Sequence, residues 1–563
     1  HIVDHLLWVR GNHNVKAGFD YRYARNDDLN RNTAGGVFGF NDVATGNGLA
    51  ALLLGWVNSA NTNEVFPIRA RMDALGAFFQ DDWKVTRKLS LNFGLRWDMD
   101  VPRREAFANR QNSFDPEAVN PVSKTPGVLT FSGRNGVSRY AHNFDANNFA
   151  PRFGFAWRVG ENWVIRGGSA IVYMGQYDQA VPINATIGFS TRGNFVSPDN
   201  GLTPAFRLRN GMPAASIPTE ADLTPGFGAV AVGQSPYTSV EYFDPKGRDT
   251  GYLINFNFNI QRQLPGRWLV EIGYLSTLGH KLPIPAALTL NQVRPELMGP
   301  GNAQIRRPFP QYGNVTVNRP FWGNSSYHGV NAKVEKRFSS GLNFLLNYTF
   351  SKFIDDVVSN QELGTVGGMQ DLYNRRAEKS LSGNDVRNRF VYSSTYELPW
   401  GKGRPWLNGG PLAMVLGGWG LGAILTLQSG SPDGMVTQTN TTNAFNGVQR
   451  VHLLRDPALP KSERSIARYF DTSAAVAPDP FTFGTAGRAV LTGPGVANLD
   501  LSLMKNHKFM ERYNLQVRLE AFNSLNRVNL DDPGRALGGP GFGVISSTSR
   551  PARTAQVGMK LTF

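Results

Sequence analysis

Apolar and polar residues alternate with a period of two along most of the chain. From Val15 to Tyr23 the odd positions are apolar or aromatic, while Lys16, Gly18, Asp20 and Arg22 are polar or glycine. Residues 89–98, 252–261, 342–350 and 515–521 repeat the rule. Successive side chains of a strand point to opposite faces, so each segment predicts a strand with one apolar and one wet face. Phe256, Phe258, Phe344, Leu346, Leu515, Val517 and Leu519 then point outward, and Asn257, Asn259, Asn343, Asn347, Gln516 and Arg518 inward. Short turn segments separate paired runs: Arg10-Gly11-Asn12, Thr86-Arg87, Gly160-Glu161-Asn162, Pro265-Gly266, Ser339-Ser340 and Met510-Glu511. These read as tight hairpins.

Between the hairpins lie long irregular segments at 102–146, 177–250, 281–325, 355–385, 431–494 and 528–551. Outer-membrane barrels have this asymmetry, with short periplasmic turns and long extracellular loops. Runs such as 88–101 and 251–264 exceed the roughly five or six residues usual in soluble strands. They suffice for the about 9–11 residues with which a tilted strand crosses the hydrocarbon. About seventeen strands result: 1–11, 13–25, 33–40, 56–66, 70–85, 88–101, 147–159, 163–176, 251–264, 267–280, 326–338, 341–354, 386–398, 416–430, 495–509, 512–527 and 552–563. The expected fold is all-β, a transmembrane antiparallel barrel of the outer-membrane type, with 1–563 forming a single partial barrel domain.

Strand parity refines this expectation. With the short turns periplasmic, strand 552–563 descends, and counting back makes 1–11 descend as well. A complete bacterial barrel begins and ends in the periplasm. An odd number of N-terminal strands is therefore expected to be missing, about five if the whole is a 22-strand, plug-filled barrel. The sheet should then be open, or closed only by a strained parallel seam.

Composition narrows the classes further. The chain has no cysteine, 58 Lys+Arg against 43 Asp+Glu, a net charge of +15, 11% aromatic and 18% charged residues. This excludes a disordered polyelectrolyte and a disulfide scaffold. The apolar stretch 48–57 is about half the roughly 20 residues of a spanning helix. The cations alternate with apolar residues, as in Arg152 and Arg158 or Lys333 and Arg337, instead of clustering as in a nucleic-acid interface. Lumen lining and lipopolysaccharide phosphates account for them, and no nucleic-acid partner is expected. Trp8, Trp83, Trp97, Trp157, Trp163, Trp268, Trp400 and Trp419 lie mostly near strand ends, where a barrel carries its aromatic girdle.

No catalytic set emerges. Asp81-Asp82, Asp355-Asp356 and Asp531-Asp532 are adjacent carboxylates, but neighbours on a strand face opposite sides and cannot share a proton. They are expected at strand ends, solvated by water. His1, His5 and His13 share parity near one turn, yet a metal site needs them to converge with further ligands. The segment 538–543 is glycine-rich but lacks the GK[ST] of a phosphate cradle. No catalytic, cofactor or metal site is expected, and the chain is not expected to be an enzyme.

Several segments in order resemble the barrel of TonB-dependent receptors, specifically the Oar-like branch. They include Asn14-Val15-Lys16-Ala17-Gly18-Phe19-Asp20-Tyr21-Arg22, Phe79-Gln80-Asp81-Asp82-Trp83-Lys84-Val85, Asn148-Phe149-Ala150-Pro151-Arg152-Phe153-Gly154, Asp385-Val386-Arg387-Asn388-Arg389-Phe390 and Glu520-Ala521-Phe522-Asn523-Ser524-Leu525-Asn526. The resemblance spans nearly the whole chain. It implies a parent with a signal peptide, a regulatory-like β domain and a plug carrying the TonB-contacting segment, none of which matches these residues. It further implies uptake of a substrate, its identity open, through a plug-gated lumen in the cell outer membrane, with the C-terminus periplasmic. An adhesion or export scaffold and a passive porin are the alternatives. Val557, Met559, Leu561 and the terminal Phe563 look like the signal read by the outer-membrane assembly machinery.

Overall fold

The computed structural model describes residues 1–563 apart from 30–32, 176–186, 200, 216–217, 245–249, 285–287, 318–319, 358–368 and 510–511. The turn expected at Met510-Glu511 lies outside the described residues. Fifteen long strands share one sheet. They begin with β1 Ile2–Arg10, β2 His13–Asp28, β3 Ile68–Lys84, β4 Leu89–Asp100 and β5 Asn148–Arg158. β6 Trp163–Tyr173, β7 Tyr252–Leu264, β8 Trp268–Leu282, β9 Gly323–Ser339 and β10 Leu342–Asp355 follow. β11 Asn388–Glu397, β12 Trp419–Gln428, β13 Val496–Phe509, β14 Tyr513–Phe522 and β15 Thr554–Thr562 complete the series. Two-residue strands at Arg104–Glu105 and Ser380–Leu381 bring the sheet to seventeen.

Each long strand pairs antiparallel with the next in chain order. Tight turns make this possible. Gly11, at φ +57, holds the backbone region that favours glycine and lets Arg10 pair directly with His13. Among the described residues β1 pairs only with β2, and β15 only with β14, so the sheet is open. Consecutive strands reverse direction, and the first and fifteenth therefore run the same way.

The strands expected at 33–40 and 56–66 do not belong to this sheet. Thr33–Gly39 and Ser59–Val65 form a separate three-stranded sheet with Ser190–Val196, in which Ser59–Val65 pairs with Thr33–Gly39 on one side and Ser190–Val196 on the other. Trp56–Val57 pairs with Phe206–Arg207. The reason is geometric: β2 and β3 are in register from His13↔Trp83 to Asp28↔Ile68, which leaves no free edge between them. The two short extensions keep the total at the expected seventeen.

Directly paired residues lie on the same face, so register can be followed across the sheet. Val557 pairs with Leu519, Leu519 with Leu503, Leu503 with Leu421, Leu421 with Tyr396 and Tyr396 with Leu342. Phe258 leads through Tyr274 and Val330 to Phe350, and through Gly167 to Phe155. One apolar face thus runs unbroken from β1 to β15 and holds all seven residues assigned outward. The six assigned inward share the opposite, polar face. Trp8, Trp83, Trp97, Trp157, Trp163, Trp268 and Trp419 all stand on the apolar face, and all but Trp97 sit at the end of the sheet that carries the short turns. Arg152, Arg158 and Lys333 lie on the polar face, and Arg337 pairs with Glu335 of that face.

Candidate functional site

At the end of the sheet opposite the short turns, the long connections fold onto one another. Phe114, Leu129 and Phe131 join Ile187, Phe189, Leu223 and Val240, together with Phe309, Tyr312 and Val315, in one buried cluster. Three loops distant in sequence meet there. Phe114 stands edge-on to Phe309 and Tyr312, with ring centroids 5.0 and 5.7 Å apart, the geometry aromatic rings prefer. A second cluster joins Met435, Val451, Tyr469, Phe470 and Leu491 to Ile545. Val293, Ala303 and Ala444 link the two regions. The loops therefore form a packed crown with its own core.

Polar groups fasten the crown. The Asn291 amide donates to the carbonyls of Phe309, Tyr312 and Gly313 at 2.8, 3.1 and 2.6 Å, and its oxygen accepts from the Phe309 N–H at 2.7 Å. Arg450 pairs with Glu378, their side chains only 2% and 1% exposed. Arg488 pairs with Asp355 and donates to the Val357 carbonyl at 2.8 Å. These pairs tie the 431–494 connection to 355–385 and to the end of β10.

Glu105 anchors the start of another loop. Its carboxylate accepts from the backbone N–H groups of Arg69, Phe107, Ala108 and Arg110 at 2.8 to 3.1 Å. Burial opposes its ionisation, but the four N–H donors outweigh burial and hold its pKa below the usual carboxylate value. A depressed pKa stabilises the fold above the unfolded-state value, and that stability is lost as pH falls through the folded value. Amide exchange at Phe107, Ala108 and Arg110 should therefore quicken on acidification below about pH 4.3, the ordinary Glu pKa. Glu105→Gln should give fast exchange already at pH 7. Equal exchange in both proteins at pH 7 would show that the loop does not depend on this carboxylate.

Beneath the crown the polar face carries a charged patch. Asp20 pairs with Gly76, Gly76 with Asp98 and Asp98 with Asn148, forming a row across β2 to β5. Arg96 bridges it, donating to Asp20 at 2.7 Å and to Asp98 at 2.8 Å. A Cβ at Gly76 would meet the Arg96 guanidinium and both carboxylates, so the absent side chain makes the space for this cluster. Asp20, Arg22, Arg96, Asp98, Asn148 and Arg152 border a cavity of about 320 Å³. Arg152 makes no ion pair among the described residues. The patch offers guanidinium donors and carboxylate acceptors to a polar ligand.

The sequence candidates fall out as follows. Asp81 and Asp82 face opposite sides as expected, but Asp81 is not solvated. It is 7% exposed on the apolar face, where the His13 Nδ1 lies 2.7 Å from its carboxylate and the His13 ring stacks on Trp83. Cross-strand neighbours cover it in a way that local sequence cannot reveal. Asp355 is likewise buried against Arg488. Asp532 lies near Asp433, and burial first and that neighbouring charge second raise its pKa. His13 does not converge with His5: the two-residue turn places His5 on the polar face and His13 on the apolar one. No group of three potential metal ligands occurs among the described residues. The glycine-rich 538–543 segment is a loop. Val557, Met559 and Leu561 stand exposed on the apolar face of β15, and Phe563 follows it.

A family model for the outer membrane beta barrel domain matches residues 1–556. The chain belongs to this family. Among solved structures, the barrel resembles the outer membrane transporter YddB from Escherichia coli, with a TM-score of 0.52 and 10% identity over 100% of this chain and 54% of that one. The siderophore receptor PiuA from Acinetobacter baumannii aligns with a TM-score of 0.44 and 11% identity, over 100% of this chain and 55% of that one. At such identities the likeness concerns the fold. The barrel spans about half the length of these proteins. No curated protein matches it.

Proposed function

We propose that the chain is the barrel of a TonB-dependent receptor of the Oar-like branch, which captures a substrate at the crown and passes it through a plug-gated lumen. The observation that carries this reading is the packed crown above a charge-lined polar face. A passive pore has no need of loops that bury an aromatic core and two ion pairs, whereas a receptor needs a fixed surface. The order of family-like strings along the chain and the fold shared with an outer membrane transporter support it. The barrel performs no covalent chemistry in this reading, and holds neither cofactor nor metal. Its partners are outer-membrane lipid, lipopolysaccharide, the TonB complex through the plug, and the substrate. The short turns face the periplasm.

The coding sequence upstream of His1 tests the proposal. A plug with a segment for TonB to grip is expected; an upstream region without them overturns transport and leaves a display scaffold. The C-terminal strand provides a separate prediction. If Val557, Met559, Leu561 and Phe563 form the assembly signal, removing Phe563 should sharply lower the amount of folded, heat-modifiable protein in outer membranes. Unchanged levels would remove that role from Phe563.

A further inference from the structure

One connection at the short-turn end breaks the pattern. β1 and β2, β3 and β4, β5 and β6, β7 and β8, and β9 and β10 are joined by a few residues each, but β11 and β12 are joined by 398–418. This segment holds the helix Gly410–Leu416, sequence GPLAMVL, preceded by Trp406 and Leu407. Leu412, Met414 and Val415 are 61%, 64% and 64% exposed, and Trp406 is 63% exposed. A helix apolar on every side belongs in a core or in lipid, and an apolar patch left in water favours aggregation.

The helix is tacked to a defined side of the sheet. The Lys505 ammonium donates to the carbonyls of Met414 and Val415, each at 2.9 Å, and also to that of Gly417. The Trp419 indole N–H donates to the Val415 carbonyl at 3.0 Å. Lys505 and Trp419 pair directly, and both lie on the apolar face. The exposed helix is thus continuous with the lipid-facing surface, at the level of the tryptophans beside the short turns. Arg404 pairs with Glu397 at the end of β11. The segment 398–418 itself contains no acidic residue, and its Lys402 matches the phosphates of a phospholipid headgroup layer.

We propose that the 398–418 connection is an interfacial anchor, its helix lying among the lipids of the leaflet at the short-turn end and its Lys402 among headgroup phosphates. This goes beyond the transport reading and stands whether or not the barrel transports anything. Tryptophan prefers this interface, and Trp406 and Trp419 bracket the helix there. The absence of cysteine from the 563 residues makes a single label straightforward. Met414→Cys carries a spin label in outer-membrane vesicles from cells that make the protein. Leu501→Cys on the apolar face is the lipid control, and Leu454→Cys in the crown the water control.

Collisions of the 414 label with oxygen should exceed those with a water-soluble nickel relaxant severalfold, as at position 501. A 414 label as open to nickel as that at 454 overturns the proposal. A second arm extracts the labelled protein into vesicles of pure phospholipid. Shielding that persists there supports the anchor. Shielding found in native membranes and lost in phospholipid means that a protein partner covers the helix, and also overturns it.

Discussion

Glu378→Ala should weaken the crown by about 3–5 kcal/mol, the usual consequence of leaving one member of a buried ion pair uncompensated. Arg450 would stay enclosed with its charge, keeping its bond to the Ala377 carbonyl but losing the carboxylate. The 355–385 and 431–494 connections should come apart while the sheet persists, because no ladder bond between the long strands involves either residue. Protease added to intact cells should cut the variant within these connections at a rate at least tenfold above the parent. Glu378→Leu combined with Arg450→Met should recover most of the resistance, since replacing both charges with apolar groups of similar size is often neutral. Equal cleavage of parent and Glu378→Ala would mean that the pair does not hold the crown.

The second large effect concerns the apolar face. Val517→Arg should destabilise the folded barrel, whereas Gln516→Arg should have little effect, although the two residues are adjacent. An arginine facing lipid costs about 2–4 kcal/mol at the midplane and about 0–1 kcal/mol near the interface, where Val517 pairs with Lys505. Val517 pairs with Lys505 and Met559 near the middle of β14 and faces lipid; Gln516 pairs with Asn506 and Lys560 on the polar side. Arg518 already stands on that polar side, which shows that a guanidinium is tolerated there. Folding into lipid vesicles across a urea series provides the measurement. Matching shifts for both variants would remove the face assignment.

Period-two alternation revealed which side of each strand meets lipid, because every apolar side chain on those strands answers to the same solvent. It could not tell barrel strands from loop strands. Thr33–Gly39 and Ser59–Val65 are strands too, but of a small sheet in the crown, which covers Ala60, Thr62 and Val65. The crown was legible only as length and irregularity. Its fastenings join residues far apart, Arg450 to Glu378 and Arg488 to Asp355, and nothing local marks an arginine that will be buried. The charged patch lay between these extremes. Asp20, Arg96 and Asp98 were each assignable to a polar face, but their meeting in one row depends on the register of four strands. Asp81 was misjudged for the same reason, its shelter coming from His13 across the ladder.

The shared direction of the two edge strands also decides how copies of this chain can meet. A membrane inserts proteins with one orientation. If β1 of one copy approached β15 of another inserted the same way, the strands would lie parallel and could not continue the antiparallel hydrogen-bond pattern. Two β1 edges could pair antiparallel only if one copy stood upside down. The sidedness of a bilayer therefore rules out antiparallel edge-to-edge pairing between copies of this sheet. An insert with an odd number of strands would mend the seam, while an even-numbered one would leave the mismatch in place.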